Sequence, residues 1–257
     1  MSWDIESREN TAIVTMNSNS VGTMNDDFFA DLNSAFLSLK QTSPEKPVVL
    51  CSGGKMFSPG LDLEHCVSLF KRGGKTEIDR WFEEFLNAML AVFDYPAPVV
   101  AAIGGHSIAG GCILALCCDT RIAGKGKTLL GLNETSIGFP MPHSLTALVE
   151  GVLGEKEGGK IIGEGKLHSV EKALENGLVN CVAEPETLIL RAVEEAQKLN
   201  SGDFSNRKKA RNGKISEAIK KAFADEDSKT LAGKLSSTET VGKLEGLLET
   251  LKKGRKQ

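Results

Sequence analysis

The amino-acid sequence predicts an α/β protein, with a core over residues 1–185 and a helical region over residues 186–257. Three observations carry this prediction. Short apolar, β-branched runs alternate with amphipathic stretches through the first half of the chain. Helical spacing of apolar residues dominates the last third. Two of the buried runs, Val48–Cys51 and Val99–Ile103, are each followed by a glycine turn.

Ala12–Met16 has strand character and is expected to pair with Asp4–Ser7. Asn25 suits the N-cap of a helix over Asp26–Leu39, whose apolar residues Phe28, Phe29, Leu32, Ala35, Phe36 and Leu39 share one face. Pro47 opens the strand Val48–Cys51, which Gly53-Gly54 ends. Residues 64–75 are mixed and read as a mobile loop. Thr76 then caps a long helix with a core stripe from Ile78 to Val92, ended by Pro96 and Pro98. Further strands are expected at Asp119–Ala123, Thr128–Gly131 and Leu178–Val182, with Asn133-Glu134-Thr135 as a loop. Helices are expected at Ser144–Leu153, Glu155–Ile162, Val170–Asn176, Leu188–Leu199, Ile215–Phe223 and Leu231–Leu251. In the last of these, Val241, Leu244, Leu247, Leu248 and Leu251 form a stripe that needs a partner surface.

The stretch Val99–Gly124 organises the chain. Its strand breaks at Gly104-Gly105, and Ala109-Gly110-Gly111 leads into Cys112–Cys118, which has no polar face and so reads as a central buried helix. Glycines at its start leave backbone N–H groups uncovered, a site for negative charge. The strand Val48–Cys51 leads likewise to Pro59-Gly60-Leu61. Ligands bind at the carboxyl edge of open α/β sheets. Two amides converging there make an oxyanion hole, each donor worth roughly 10²–10³ in rate.

Composition excludes several function classes. Hydrophobic residues make up 40% and charged residues 25%, as in ordinary globular proteins, and the net charge of −3 offers no footprint for nucleic acid or an anionic membrane. No apolar run approaches the ~20 residues of a membrane span. The six cysteines lack metal-ligand spacing and read as reduced core residues. Met1–Asp4 has no signal-peptide pattern and Lys253–Gln257 no SKL-type address. The expected location is therefore cytoplasmic, or an organelle matrix in a eukaryotic host.

Three blocks carry a resemblance: Phe57-Ser58-Pro59-Gly60-Leu61-Asp62-Leu63, then Ala101–Cys112, then Cys118-Asp119-Thr120-Arg121-Ile122-Ala123. In this order and spacing they resemble the crotonase (enoyl-CoA hydratase/isomerase) superfamily, from about residue 5 to about residue 190. The resemblance implies a superhelix of ββα units with a C-terminal helical oligomerisation region, assembled as a homotrimer or a dimer of trimers. It implies acyl-CoA thioester substrates, with CoA part of the substrate and no separate cofactor or metal, and a place in fatty-acid β-oxidation. The oxyanion-hole amides would fall on Leu61 and Gly110. Carbonyls of the turn Ser58, Pro59, Gly60, Leu61, Asp62, Leu63 would meet the adenine of CoA.

The resemblance also bears on the reaction. Hydratases of the family flank the double bond with two glutamates. The first of these positions is Ile113 here, and the second is Glu134. One carboxylate suffices to move a proton from C2 to C4 of a 3-enoyl thioester, and Gly131-Leu132-Asn133-Glu134-Thr135 resembles the Δ3,Δ2-enoyl-CoA isomerases. A glycine pair of the hydratases is replaced near Pro142-His143-Ser144, which bears on the shape of the acyl pocket. Hydration, hydrolysis and decarboxylation of acyl-CoA are the nearest alternatives.

Other readings compete. Gly105–Ala109 nearly fits a nucleophile elbow around Ser107, with Asp119 and His143 or His168 following in the order of a serine hydrolase. A non-catalytic scaffold would fit the loss of one glutamate at Ile113. His106 and Asp62 suit turn stabilisation, and the basic cluster Lys71–Lys75 a solvated loop or a contact with CoA phosphates.

Overall fold

A computed structural model describes residues 3–254. The residues at either end on which the targeting readings partly rest, 1–2 and 255–257, lie outside the described residues. The first half alternates strand and helix: β1 (Asp4–Arg8), β2 (Thr11–Met16), α1 (Asp26–Thr42), β3 (Val48–Ser52), α2 (Leu63–Arg72), α3 (Lys75–Phe93), β4 (Val99–Ile103), β5 (Ser107–Ile108), α4 (Gly110–Leu116), β6 (Thr120–Gly124) and β7 (Leu129–Gly131). Then follow α5 (Glu134–Ile137), α6 (His143–Leu153), α7 (Glu155–Glu164), β8 (His168–Ser169), α8 (Val170–Glu175) and β9 (Cys181–Ala183). The chain ends in α9 (Leu188–Leu199), α10 (Phe204–Ala222), a π-helical turn at Phe223–Asp227, α11 (Ser228–Leu235) and α12 (Thr238–Gly254).

Two sheets result. The larger has the order β1-β2-β3-β4-β6-β9, antiparallel between β1 and β2 and parallel elsewhere. The smaller has the order β5-β7-β8. Alternation along the strands of the large sheet sorts their side chains to two faces. Val14, Val48, Leu50, Val99, Ala101 and Ile103 join the main core with α1, α3, α4 and α6. Ile13, Val49, Cys51, Val100, Ala102 and Ile122 face the other way, and α9 covers them with Leu188, Ala192, Val193 and Ala196. Because β3 and β4 are parallel neighbours, with Val48 opposite Val99, the two glycine turns leave the sheet at the same edge.

Several expectations are corrected. The mobile loop over 64–75 is helix α2 followed by the start of α3. Asp62 caps α2 by accepting from the Glu64 and His65 amides, and Cys66, Leu69 and Phe70 bury a helical face. Helix α3 begins at Lys75 with Gly74, not Thr76, at its N-cap. Glu134 stands not in a loop but at the first position of α5. The helix expected at Ile215–Phe223 starts eleven residues earlier, at Phe204. The helix expected over Leu231–Leu251 is broken between Leu235 and Thr238. The stripe on α12 is largely covered within the chain, since Leu244 is fully buried and Val241 nearly so, while Leu251 is exposed. The basic cluster is tied down: Lys71 bonds Glu245 of α12 at 2.8 Å, and Lys75 bonds Asp79.

Helix α10 docks through polar groups. Lys208, Asn212 and Ser216 lie four residues apart on its buried face. Lys208 Nζ donates to Ala97 O at 3.1 Å and to Asp119 Oδ2 at 2.5 Å. Asn212 Nδ2 donates to Phe93 O at 2.6 Å, and Ser216 Oγ to Asp94 Oδ1 at 2.7 Å. Asp119 also accepts from Arg211 and from the Val99 amide that opens β4. Burial pulls the Lys208 ammonium below its ordinary pKa, and Asp119 opposes that. Lys208→Ala would leave Asp119 its partner Arg211 and the Val99 amide, but would remove its buried cation and the donor to Ala97 O. It is therefore expected to lower unfolding free energy by about 1–3 kcal/mol, read by urea denaturation.

Candidate active site

The site begins where two backbone segments touch. The strap Phe57–Leu61 crosses the start of α4. Ser58 N donates to His106 O, and Ile108 N donates back to Ser58 O at 3.0 Å. The Ser58 hydroxyl, fully buried, donates to Gly22 O at 2.7 Å and accepts from the Gly60 amide at 3.1 Å. Contact this close admits no side chain. A Cβ on Gly111 would lie 2.1 Å from Ser58 O. A Cβ on Gly60 would lie 2.9 Å from Gly110 N, and Gly60 also has φ +91°, a conformation that favours glycine.

The two amides expected to form the hole are thereby brought together. A Cβ built on Gly110 would lie 3.7 Å from Leu61 N and 3.4 Å from Gly60 Cα. Leu61 pairs with Met24 in a parallel bridge, in which Met24 N donates to Gly60 O and Asp62 N to Met24 O. The Leu61 amide consequently faces away from Met24. Ala109 N donates to Gly131 O, and Ile113 N to Ala109 O. Neither Leu61 N nor Gly110 N donates to another group among the described residues. Ala109 turns the chain between them, at φ 50° and ψ −122°. That conformation costs a non-glycine residue on the order of 1–3 kcal/mol.

Glu134 reaches the same end of the small sheet. Strands β5 and β7 are parallel, with Ile108 opposite Gly131. Gly110 follows two residues after Ile108, and Glu134 three residues after Gly131. The carboxyl is 6% exposed, and its Oε2 has no hydrogen-bond partner among the described residues. Burial raises its pKa from 4.5 to about 7, opposed in part by its own backbone N–H. Its charge also acts on the thiol of Cys112, two residues beyond Gly110, which burial first and then Glu134 push up to about 12. Hydroxyls hold α5 against the end of α7: Thr135 Oγ1 donates to Ile162 O at 2.9 Å, and Ser136 Oγ to Gly165 O at 2.5 Å.

The other expected residues sort clearly. Ile113 is fully buried in α4 and belongs to the main core. Ser58, Gly60 and Asp62 carbonyls accept from Ile108, Met24 and Cys66 amides, so of the turn's first five carbonyls those of Pro59 and Leu61 remain free of such backbone bonds. Asp62 is the cap of α2, and its neighbour Leu63 is the first residue of that helix. His106 Nδ1 accepts from Leu129 N at 2.9 Å, so it stabilises its turn. The hydrolase triad is not assembled. Both Asp119 oxygens are bound to Lys208 and Arg211, and the buried Ser107 hydroxyl has no hydrogen-bond partner among the described residues. His168 lies two strands from Ser107, across β7. Sequence reasoning missed Met24, whose Sδ lies 3.4 Å from a Cβ built on Gly110, because a lone methionine before a helix carries no signal. It also missed Phe139, whose amide donates to Glu134 O at 2.9 Å.

The sequence pattern of the enoyl-CoA hydratase/isomerase family matches residues 6–254. The chain belongs to that family. It is 30% identical over 196 residues to the fatty acid oxidation complex subunit alpha of Psychrobacter sp., covering 75% of this chain and 27% of that one. It thus spans about a quarter of that relative's length. It is 27% identical over 227 residues to the peroxisomal enoyl-CoA delta isomerase 2 of Arabidopsis thaliana, covering 86% of this chain and 92% of the relative. Among solved structures, human mitochondrial delta3-delta2-enoyl-CoA isomerase matches with a TM-score of 0.88 at 24% identity, covering 99% of both chains. That likeness establishes the crotonase fold, with its C-terminal helices. No helix among the described residues is long and apolar enough to cross a membrane.

The raised pKa of Glu134 has a thermodynamic sign. The folded chain holds the Glu134 proton more tightly than the unfolded chain, whose value is 4.5 against about 7 folded. The stability this contributes is complete below the unfolded value and is lost as pH rises through the folded one. Glu134→Gln is therefore expected to match the parent at about pH 4 and to exceed it by about 3 kcal/mol at about pH 8. Urea titrations at both pH values read the difference.

Proposed function

We propose that this protein is a Δ3,Δ2-enoyl-CoA isomerase that moves the double bond of a 3-enoyl-CoA to the 2-trans position. The observation that carries the reading is Glu134, a buried carboxyl just past β7, the strand paired with the β5 strand that leads to Gly110, with one oxygen unpartnered and a pKa near neutral. Ile113 supports it, since an aliphatic side chain stands in α4 where a hydratase would present a second carboxylate. The name of the Arabidopsis relative, an enoyl-CoA delta isomerase, agrees with it.

The reaction follows from the geometry. The thioester oxygen accepts hydrogen bonds from Leu61 N and Gly110 N. Negative charge that develops on this oxygen as C2 loses a proton is met by donors already in place. Glu134, as carboxylate, takes the C2 proton, and the electron pair of that C–H bond delocalises into a dienolate. The same carboxyl returns the proton at C4, the double bond settles between C2 and C3, and Glu134 is a carboxylate again. No net proton or electron is exchanged, so the CoA of the substrate is the only group required. A pKa near operating pH suits a residue that must act first as base and then as acid. Assembly as a homotrimer or dimer of trimers belongs to the same proposal.

Incubation with 3-hexenoyl-CoA is expected to give the conjugated 2-enoyl product, with little hydration of 2-enoyl-CoA. Glu134→Gln should lower kcat by about 10²–10⁴-fold while the fold is retained. In the parent, kcat/KM should rise with pH and level off above about 7, as the carboxylate forms. Full activity in Glu134→Gln, or 3-hydroxyacyl-CoA as the main product, would overturn the reading. Gly60→Ala is expected to lose activity in the same assay, because the added methyl would sit 2.9 Å from Gly110 N.

A further inference from the structure

Asp227 is 2% exposed and ends the π-helical turn that joins α10 to α11. Its carboxylate reaches 83 residues back along the chain. Oδ2 accepts from Ser144 N and Oδ1 from His143 N, each at 2.9 Å. These are the first two amides of α6, whose own N-cap residue, Pro142, offers no side-chain acceptor. A helix start has unpaired N–H groups and positive potential, and a buried bidentate carboxylate satisfies both. Phe223, at the other end of the π-helical turn, stacks on Phe82 of α3 at 6.2 Å, so the turn itself is anchored to the core.

What Asp227 joins matters more than what it caps. Directly before His143 runs Gly138–Pro142, tied to Glu134 by the Phe139 amide. Directly after Asp227 runs α11. These two segments line one open cleft of about 730 Å³, with Phe139, Pro140 and Met141 from the first and the exposed Thr230, Gly233 and Lys234 from the second. Thr135, the residue after Glu134, is also part of its lining. Asp227 therefore ties the chain just after the Gly138–Pro142 segment to the chain just before α11.

We propose that Asp227 is a positioning residue that selects acyl-chain length by setting the spacing of these two segments. The inference rests on the acyl-CoA reading of the site. A short acyl group ends near Glu134 and does not reach the far part of the cleft. A long one runs between the two segments and depends on their spacing.

The test separates capping from positioning. Asp227→Ala removes both roles. Asp227→Ala combined with Pro142→Asp supplies α6 with a local N-cap but leaves α11 unattached. Pro142 has φ −66° and ψ 144°, which aspartate adopts freely. Thermal unfolding reports the cap, and calorimetric Kd values for hexanoyl-CoA and dodecanoyl-CoA report the spacing. The double variant is expected to recover most of the lost Tm and to bind hexanoyl-CoA as the parent does. Its affinity for dodecanoyl-CoA should stay about tenfold weaker, the scale on which pockets discriminate apolar groups. Asp227→Asn, with one acceptor left, should fall between and covers the case in which Asp227→Ala does not fold. A parent-like ratio of the two Kd values in the double variant or in Asp227→Asn overturns the proposal, as does an equal loss for both ligands. Because binding is read, a parent that binds acyl-CoA without isomerising it would sink the isomerase reading and leave this one standing. A parent that binds neither ligand overturns both.

Discussion

Backbone-to-backbone contact between the Ser58–Leu61 strap and the first turn of α4 is the constraint on which the rest depends. Two amides from different loops can share one oxygen only if nothing stands between them. That requirement removes Cβ atoms from Gly60 and Gly111, since a methyl at either position would meet backbone at 2.9 or 2.1 Å. It also explains the burial of Ser58, whose hydroxyl ties the strap to Gly22 and to the Gly60 amide. The strained Ala109 belongs to the same contact, because its φ of 50° turns the chain so that Gly110 starts a helix with an uncovered amide. Local cost is accepted at the junction, and the close-packed strands β3 and β4 behind it hold the junction in place.

A second cost is electrostatic. Glu134 would be more stable in water, yet β7 and α5 place it in the interior with one oxygen unsatisfied. The hydroxyls of Thr135 and Ser136 bond the end of α7 and not the carboxyl. The carboxyl itself receives little help, and its pKa rises accordingly. A carboxyl relieved of this discomfort, by gaining a cation or a second donor, would have a lower pKa and would be a weaker base. In the role proposed for Glu134, stability and basicity pull in opposite directions.

How much of this was legible in the sequence depended on the range of the interaction. Helix α9 matches its expected span, Leu188–Leu199, because its apolar period is clean and it packs on one sheet face. Gly60, Gly110 and Glu134 were legible through the spacing of the family's blocks. Helix α2 was hidden by polar residues on its outer face, although its cap, Asp62, was in view. The first half of α10 was illegible for a different reason: its buried face is Lys208 and Asn212, and no apolar pattern announces a helix that docks through charge. The interruption between α11 and α12 was masked by a continuous leucine period across it.

The least legible feature joins the two halves of the chain. Asp227 resembles any surface aspartate in a stretch of charged residues, Asp225-Glu226-Asp227, and only the fold brings it to the amides of His143 and Ser144. Its partner sites show why the helical region is more than a cover. Lys208 and Arg211 hold Asp119 at the start of the organising strand β4, and Asp227 holds the segment that follows Glu134. The start of β4 is therefore pinned by α10, and the segment after Glu134 by the turn that follows α10. A change in how these helices sit on the core would reach the start of β4 through Asp119 and the backbone of Glu134 through the Phe139 amide, which ties the C-terminal region to both segments.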